Sequence, residues 1–124
     1  MKSQLKENPL QEGTEIVKEA LKLDKGKEPL SLVVRSALLE EADVMGHGVT
    51  KYGRDNWRLG MKWSRLTDAA LRHITAFNEG EDLDPETGLH HLAHARCCLA
   101  FLIEYSTTHP TLDDRYIKER ERER

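Results

Sequence analysis

Gly80-Glu81-Asp82-Leu83-Asp84-Pro85-Glu86-Thr87-Gly88, with His90, His91 and His94 just beyond it, is the stretch that decides how this chain is read. Four carboxylates crowd a segment with glycine at both ends, and imidazoles follow at helical spacing. Asp84-Pro85 predicts the start of a helix, because Asp accepts the orphan amides of a first turn and Pro is pre-set for the first helical position. On that helix His91 and His94 are three apart and share a face, while His90 and His94 are four apart and share the neighbouring one. Only two of the three can point comfortably at one ion. Asp84 has a capping task, so Glu81 and Asp82 are the firmer ligand candidates. This density of ligand-type side chains predicts a divalent-metal site, against the plainer reading of a solvated acidic cap.

Working outward, the helix that starts here runs to about residue 105, with Leu89, Leu92, Ala93, Leu99, Ala100, Leu102 and Ile103 available for a core. Cys97 and Cys98 continue it as small core residues. Adjacent in sequence, they are poorly placed to bridge each other, which suits a reducing cytoplasm. Before the acidic turn, Ser64 or Thr67 caps a helix ending near residue 79, whose Leu66, Ala69, Ala70, Leu71, Ile74 and Phe77 face the core. Asp68 and Arg72 are four apart and can pair, and His73 reads as a satisfied histidine beside an apolar face.

A long loop precedes that helix. From Lys51 to Arg72 there are six cations and two acids, whereas from Glu79 to Glu86 there are five acids and no cation. A cationic segment beside an acidic one suits a metal-chelated polyphosphate, with the ion bridging carboxylates to phosphate oxygens while Lys and Arg neutralise the rest. Tyr52, Trp57 and Trp63 offer flat surfaces and Asn56 a donor and an acceptor for a base edge; the tryptophans can equally be core plugs. Residues 31–45 form a further helix, in which Glu40 and Asp43, three apart with Glu41 beside them, either hold an ion or make a solvated acidic face. Gly46 and Gly48 end or kink it around His47. Thr14 caps a short helix carrying Ile16, Val17, Ala20 and Leu21, which Gly26 and Pro29 terminate. Residues 1–13 are polar and flexible, and residues 107–124 form a charged tail ending in an all-charged run from Lys118.

The whole is an all-α domain over residues 14–106, with four main helices in a compact bundle. Mean hydropathy is -0.67, and no window approaches the roughly 20 apolar residues of a membrane span. The net charge of -3 gives no global push toward a nucleic acid polymer. No basic-then-apolar leader opens the sequence. A phosphate-binding Gly-x-x-x-x-Gly-Lys-Ser/Thr loop, a Gly-x-Ser-x-Gly elbow, a His-Glu-x-x-His helix, a His-Asp pair and a Pro-Cys-x-x-Cys deaminase motif are all missing.

Four motifs stand in one order: Lys22-x-Asp24-x-Gly26-Lys27-x-Pro29-Leu30; Gly48-x-x-Lys51-Tyr52-Gly53-x-x-Asn56-Trp57-Arg58; Arg72-His73; and Gly80-Glu81-Asp82-x-Asp84-x-Glu86-x-Gly88-x-x-His91-x-x-His94-Ala95. Together, over roughly residues 20–106, they resemble the phage dATP/dGTP diphosphohydrolase N-terminal domain family, related to the MazG-like all-α nucleotide pyrophosphohydrolases. The resemblance implies hydrolysis of dGTP or dATP to the monophosphate and pyrophosphate, with Mg2+, in phage nucleotide metabolism in the host cytoplasm. MazG-like enzymes hold magnesium on Glu-x-x-Glu and Glu-x-x-Asp helices. Glu40-x-x-Asp43 matches one such pair, but Glu81, Asp82, His91 and His94 occupy the other place, and imidazoles suit Mn2+ or another transition metal better. The metal set is therefore Glu40, Asp43, Glu81, Asp82, His91 and His94, with Glu81, Asp82 and His94 catalytic. Lys51, Arg58 and Arg72 serve the phosphates, and Tyr52, Asn56 and Trp57 the base. A homo-oligomer, at least a dimer, is expected, since a short bundle gains core by pairing. A non-catalytic nucleotide- or metal-binding module and a structural helical interaction protein are the alternatives from other classes.

Overall fold

The structure, a computed structural model, describes residues 18–118 and the backbone of 11–12 and 15–16. Contacts divide the chain into two units, Met1–Val34 and Arg35–Arg124. In the first, β1 (Gln11–Glu12) pairs antiparallel with β2 (Glu15–Ile16). Residues 18–24 are not helical, so the first of the four expected helices is replaced by this short pair and extended chain. The expected cap Thr14, Val17 and most of the flexible 1–13 segment lie outside the described residues. The Asp24 carbonyl accepts from the Lys27 amide at 3.0 Å, closing a turn over Gly26, and a single 3-10 turn covers Leu30–Leu32.

Among the described residues, three helices build the second unit: α1 (Arg35–Tyr52), α2 (Trp63–Asn78) and α3 (His91–Thr108). The all-α class holds, with three α-helices among the described residues in place of four. Helix α1 passes through Gly46 and Gly48 without stopping, seven residues beyond the expected end at Met45. Nothing lies within 4 Å of where a side chain would start at either glycine, so both sit on open helix surface and cost propensity without breaking the ladder. The loop to α2 is correspondingly short and carries a 3-10 turn at Asn56–Leu59.

Trp63, Leu66 and Ala70 recur at three- and four-residue spacing and form the buried stripe of α2. They meet α3, whose Tyr105 is fully buried, and Trp57, Met61, Phe101, Leu102 and Leu112 close around this cluster. Trp63 at the start of α2 donates its indole N–H to the carbonyl of His109 past the end of α3, while His73 lies against His91 at the start of α3. The two helices are therefore antiparallel. Helix α3 also faces α1, through Arg96 Nε to Glu41 Oε1 at 2.9 Å and the Cys97 thiol against the Glu41 carbonyl. Two packed sides explain why alanines and Cys97 are buried along it.

Two capping expectations change. Helix α2 starts at Trp63 with no side-chain cap of its own; instead Asp114 accepts both the backbone N–H and the hydroxyl of Ser64. Residues 109–115 of the expected tail thus return to the start of α2, where Arg115 lies 5.0 Å over the Trp63 ring. Residues 119–124 lie outside the described residues. Asp84-Pro85 does not begin a helix either. The Asp84 carboxylate accepts the Glu86 amide, its N–H donates to Leu89 at 2.8 Å and its carbonyl accepts from Gly88 at 2.7 Å, so the segment closes as a loop. Leu83 bridges to His90, and α3 begins one residue later, capped by His90 Nδ1 on the Leu92 amide. No helix among the described residues is long and apolar enough to cross a membrane.

Candidate metal and substrate site

The loop closed by Asp84 brings its side chains against the C-terminal half of α2 and the first turns of α3. His91 is buried, 5% exposed, and uses both ring nitrogens: Nδ1 lies 2.8 Å from His73 Nδ1, and Nε2 lies 2.7 Å from Glu81 Oε1. The ring of His73 stacks on His94 at 4.5 Å between centroids, with an interplanar angle of 8°. His94 Nε2 stands 2.8 Å from Thr87 Oγ1 and 3.7 Å from Asp84 Oδ2. One ligand atom each of His73, Asp84 and His94 falls within 4.8 Å of the other two. Two imidazole nitrogens and one carboxylate oxygen make a donor set suited to manganese, iron, cobalt or zinc more than to magnesium.

The surroundings of His73 and His94 favour the neutral imidazole. Burial lowers the pKa of His73, and the neighbouring His94 lowers it further, with Asp84 opposing. His94 is also lowered, first by burial, with Asp84 raising it and His91 and His47 lowering it. Neutral imidazole is the form with a lone pair to offer.

Cations reach the loop from α1. Lys51 Nζ sits 3.6 Å from Glu86 Oε1 and 5.2 Å from the centre of the Tyr52 ring. Its ammonium is held above the ordinary lysine range, by Tyr52 first and by Glu86 after it. Both partners are exposed, so the pair adds little to stability and leaves Lys51 open to phosphate.

The structure gathers Glu81, His91 and His94 of the expected site, with Lys51 and Tyr52 at its edge. Glu40 and Asp43 lie exposed on α1, on a different side from Glu41, and make no hydrogen bond or ion pair among the described residues. Asp82 contributes its backbone carbonyl, which accepts the His91 amide at 3.0 Å, while its side chain is exposed. Arg72 is exposed along an open groove on α2 with Asp68 and Glu79. Trp57 stacks on Phe101 at 4.6 Å and carries the Arg58 guanidinium 4.6 Å from its ring centre; Arg58 also binds Asp55. Phe101 is seven residues along α3 from His94, about 10 Å at 1.5 Å per residue. Trp57, with Arg58 over its ring, thus packs from the 3-10 turn against a stretch of α3 beyond His94, and Asn56 precedes it in that turn. Sequence reasoning passed over His73 as a satisfied histidine and ranked Asp84, as a cap, below Glu81 and Asp82.

Residues 17–115 match the family described as dATP/dGTP diphosphohydrolase, N-terminal. The chain is 46% identical over 95 residues to the dATP/dGTP diphosphohydrolase of Salmonella phage PMBT28. That stretch is 77% of this chain and 32% of the phage protein, so the chain spans about a third of its relative's length. No solved structure matches it. With four-fifths of its length inside the matched region, the chain belongs to the dATP/dGTP diphosphohydrolase N-terminal domain family.

Proposed function

We propose that this chain hydrolyses deoxypurine nucleoside triphosphates, dGTP and dATP, to the monophosphate and pyrophosphate in phage nucleotide metabolism, within the host cytoplasm. Family membership and the phage relative's activity support the substrate class. The observation that carries the reading is the meeting of His73, Asp84 and His94 beside the Lys51–Glu86 pair, a donor cluster with a cation at its rim. A divalent ion held there would draw electron density from a phosphate oxygen and so favour attack at phosphorus.

The chain's own residues supply the rest. Lys51 takes the phosphates by exchanging its exposed carboxylate partner for a phosphate oxygen, and Arg72 and Arg58 add charge along the leaving pyrophosphate. Tyr52 and Asn56, both exposed, hold the base. Water attacks the α-phosphorus in line, the bond to the bridging oxygen breaks, and Asp82 takes the proton. Glu81 and His94 are engaged by His91 and Thr87, whereas the Asp82 side chain has no hydrogen-bond partner among the described residues. Exposed Leu71, Ile74, Leu99 and Ile103 on α2 and α3 support a homo-oligomer, which light scattering tests.

The eight common nucleoside and deoxynucleoside triphosphates, each incubated with Mg2+ and with Mn2+ and resolved by chromatography, test the reaction class. Deoxypurine monophosphate and pyrophosphate are expected. Release of diphosphate and single phosphate would exclude it.

A further inference from the structure

The hydrogen bonds behind His73 allow the protons to be placed. Glu81 Oε1 can only accept while ionised, so the proton of the 2.7 Å contact belongs to His91 Nε2. In the form of His91 that carries a single proton, Nδ1 keeps its lone pair and the 2.8 Å contact takes His73 Nδ1 as the protonated partner. That fixes the His73 tautomer and leaves Nε2 with a free lone pair. A carboxylate bound to one imidazole nitrogen so that the other points at an ion is the usual support of a metal-ligating histidine; here the support is one histidine longer.

His94 is prepared differently. Thr87 Oγ1 accepts the Leu89 amide at 3.2 Å and stands 2.8 Å from His94 Nε2, where its own proton can be given to an unprotonated ring nitrogen. In that tautomer the ring nitrogen nearest Asp84, 3.7 Å from its Oδ2, carries the lone pair. A cation would take that lone pair, and the hydroxyl proton would turn away with its bond to Leu89 kept.

We infer that His73, Asp84 and His94 form a binding site for a divalent transition metal such as Mn2+ or Co2+, with Glu81 and His91 as positioning residues that orient His73. Three protein donors leave coordination positions for water or phosphate oxygen. The carboxylates Glu40 and Asp43 take no part. The assignment gives the proposed hydrolase its metal, yet it concerns binding and stands or falls without nucleotide.

Pulsed electron paramagnetic resonance of Mn2+ bound to the 124-residue chain reads the donor atoms directly. Couplings to two imidazole nitrogens are expected, one lost in His73→Ala and the other in His94→Ala. Asp84→Asn should weaken Mn2+ binding. Glu81→Gln should weaken it about 10- to 100-fold while keeping both nitrogen couplings, because its effect travels through His91. An all-oxygen spectrum in the native chain overturns the assignment, as does unchanged affinity in a folded His73→Ala/His94→Ala double variant. So does loss of binding confined to Glu40→Ala/Asp43→Ala. If a histidine variant does not fold, the native spectrum alone decides. Nitrogen couplings without dGTP hydrolysis would remove the hydrolase and keep this site; hydrolysis with oxygen-only coordination would do the reverse.

Discussion

His91 shows how closely folding and chemistry are joined at one residue. It is the buried polar side chain of the described region, and its ring holds Glu81 on one side and His73 on the other. Replacing it by Phe keeps an aromatic ring but removes the nitrogens that partner His73 and Glu81. Because leaving a buried polar group without its partner costs about 1–3 kcal/mol, urea denaturation of His91→Phe should show a loss of that order. From sequence, three histidines over two adjacent helical faces could not be ranked, because rank depends on where the helix begins. Starting at His91 instead of Asp84 turned His90 into a cap and left His91 and His94 inward. Two thiols permit a second test at this scale. Burial raises Cys98 and, with Glu41 nearby, pushes Cys97 up to about 12 from its ordinary 9.0. Both should resist alkylation at neutral pH in the native chain and react once denatured. For stability the sign is unfavourable at high pH: above the unfolded value of 9.0 the native state keeps a proton that the unfolded state loses. The chain should therefore grow less stable as pH rises past 9.0, and a serine or alanine at Cys97 should flatten that slope.

At the scale of elements, α1 carries the clearest test. Gly46 and Gly48 lie within its 18 residues with open space where a Cβ would go. Gly46→Ala should therefore stabilise the chain by about 0.5–1 kcal/mol, read as a raised urea midpoint with unchanged slope. Destabilisation would show that the helix ends at Met45, as propensity alone suggests. The apolar stripe of α2 was legible in part: Leu66 and Ala70 are buried and Ala69 is half-buried as expected, whereas Leu71, Ile74 and Phe77 are exposed and Trp63 joins the buried side from the helix start. Helix α3 was legible in place but not in its start. Asp-Pro is a strong local cap signal, yet the Leu83–His90 bridge and the backbone bonds of Asp84 to Leu89 and Gly88 use the same groups to close a loop. Local chemistry offered two outcomes, and backbone contacts reaching from Leu83 and Asp84 to Gly88, Leu89 and His90 selected the second. That choice freed the Asp84 side chain to face His94.

Over the whole second unit, the chain is closed by residues that composition marked as tail. Asp114 supplies the N-terminal cap that α2 lacks, and its bonds to Ser64 hold its carboxyl below the usual aspartate range. The lowered value means that this contribution is present above the unfolded pKa near 3.8 and fades as pH falls through the folded value. Asp114→Ala should lower the melting temperature at neutral pH, with the gap to the native chain closing in acid. Gly60 belongs to the same corner. Its φ of +93° suits glycine, and a Cβ there would meet the His109 ring at 2.5 Å and Leu112 at 2.8 Å. Such a return could not be read from spacing, because it pairs residues about fifty apart without any period. The N-terminal segment was misread for the converse reason: a short apolar stripe has helical spacing but too few residues to hold a helix without packing.

The central claim is that water attacks the α-phosphorus of a deoxypurine triphosphate bound beside the His73, Asp84 and His94 cluster. Hydrolysis of dGTP in oxygen-18 water with Mn2+, followed by mass spectrometry of both products, locates the attack. The heavy oxygen should appear in dGMP and be absent from pyrophosphate. Heavy oxygen in pyrophosphate instead would place the attack on the β-phosphorus and remove the mechanism proposed for this family member.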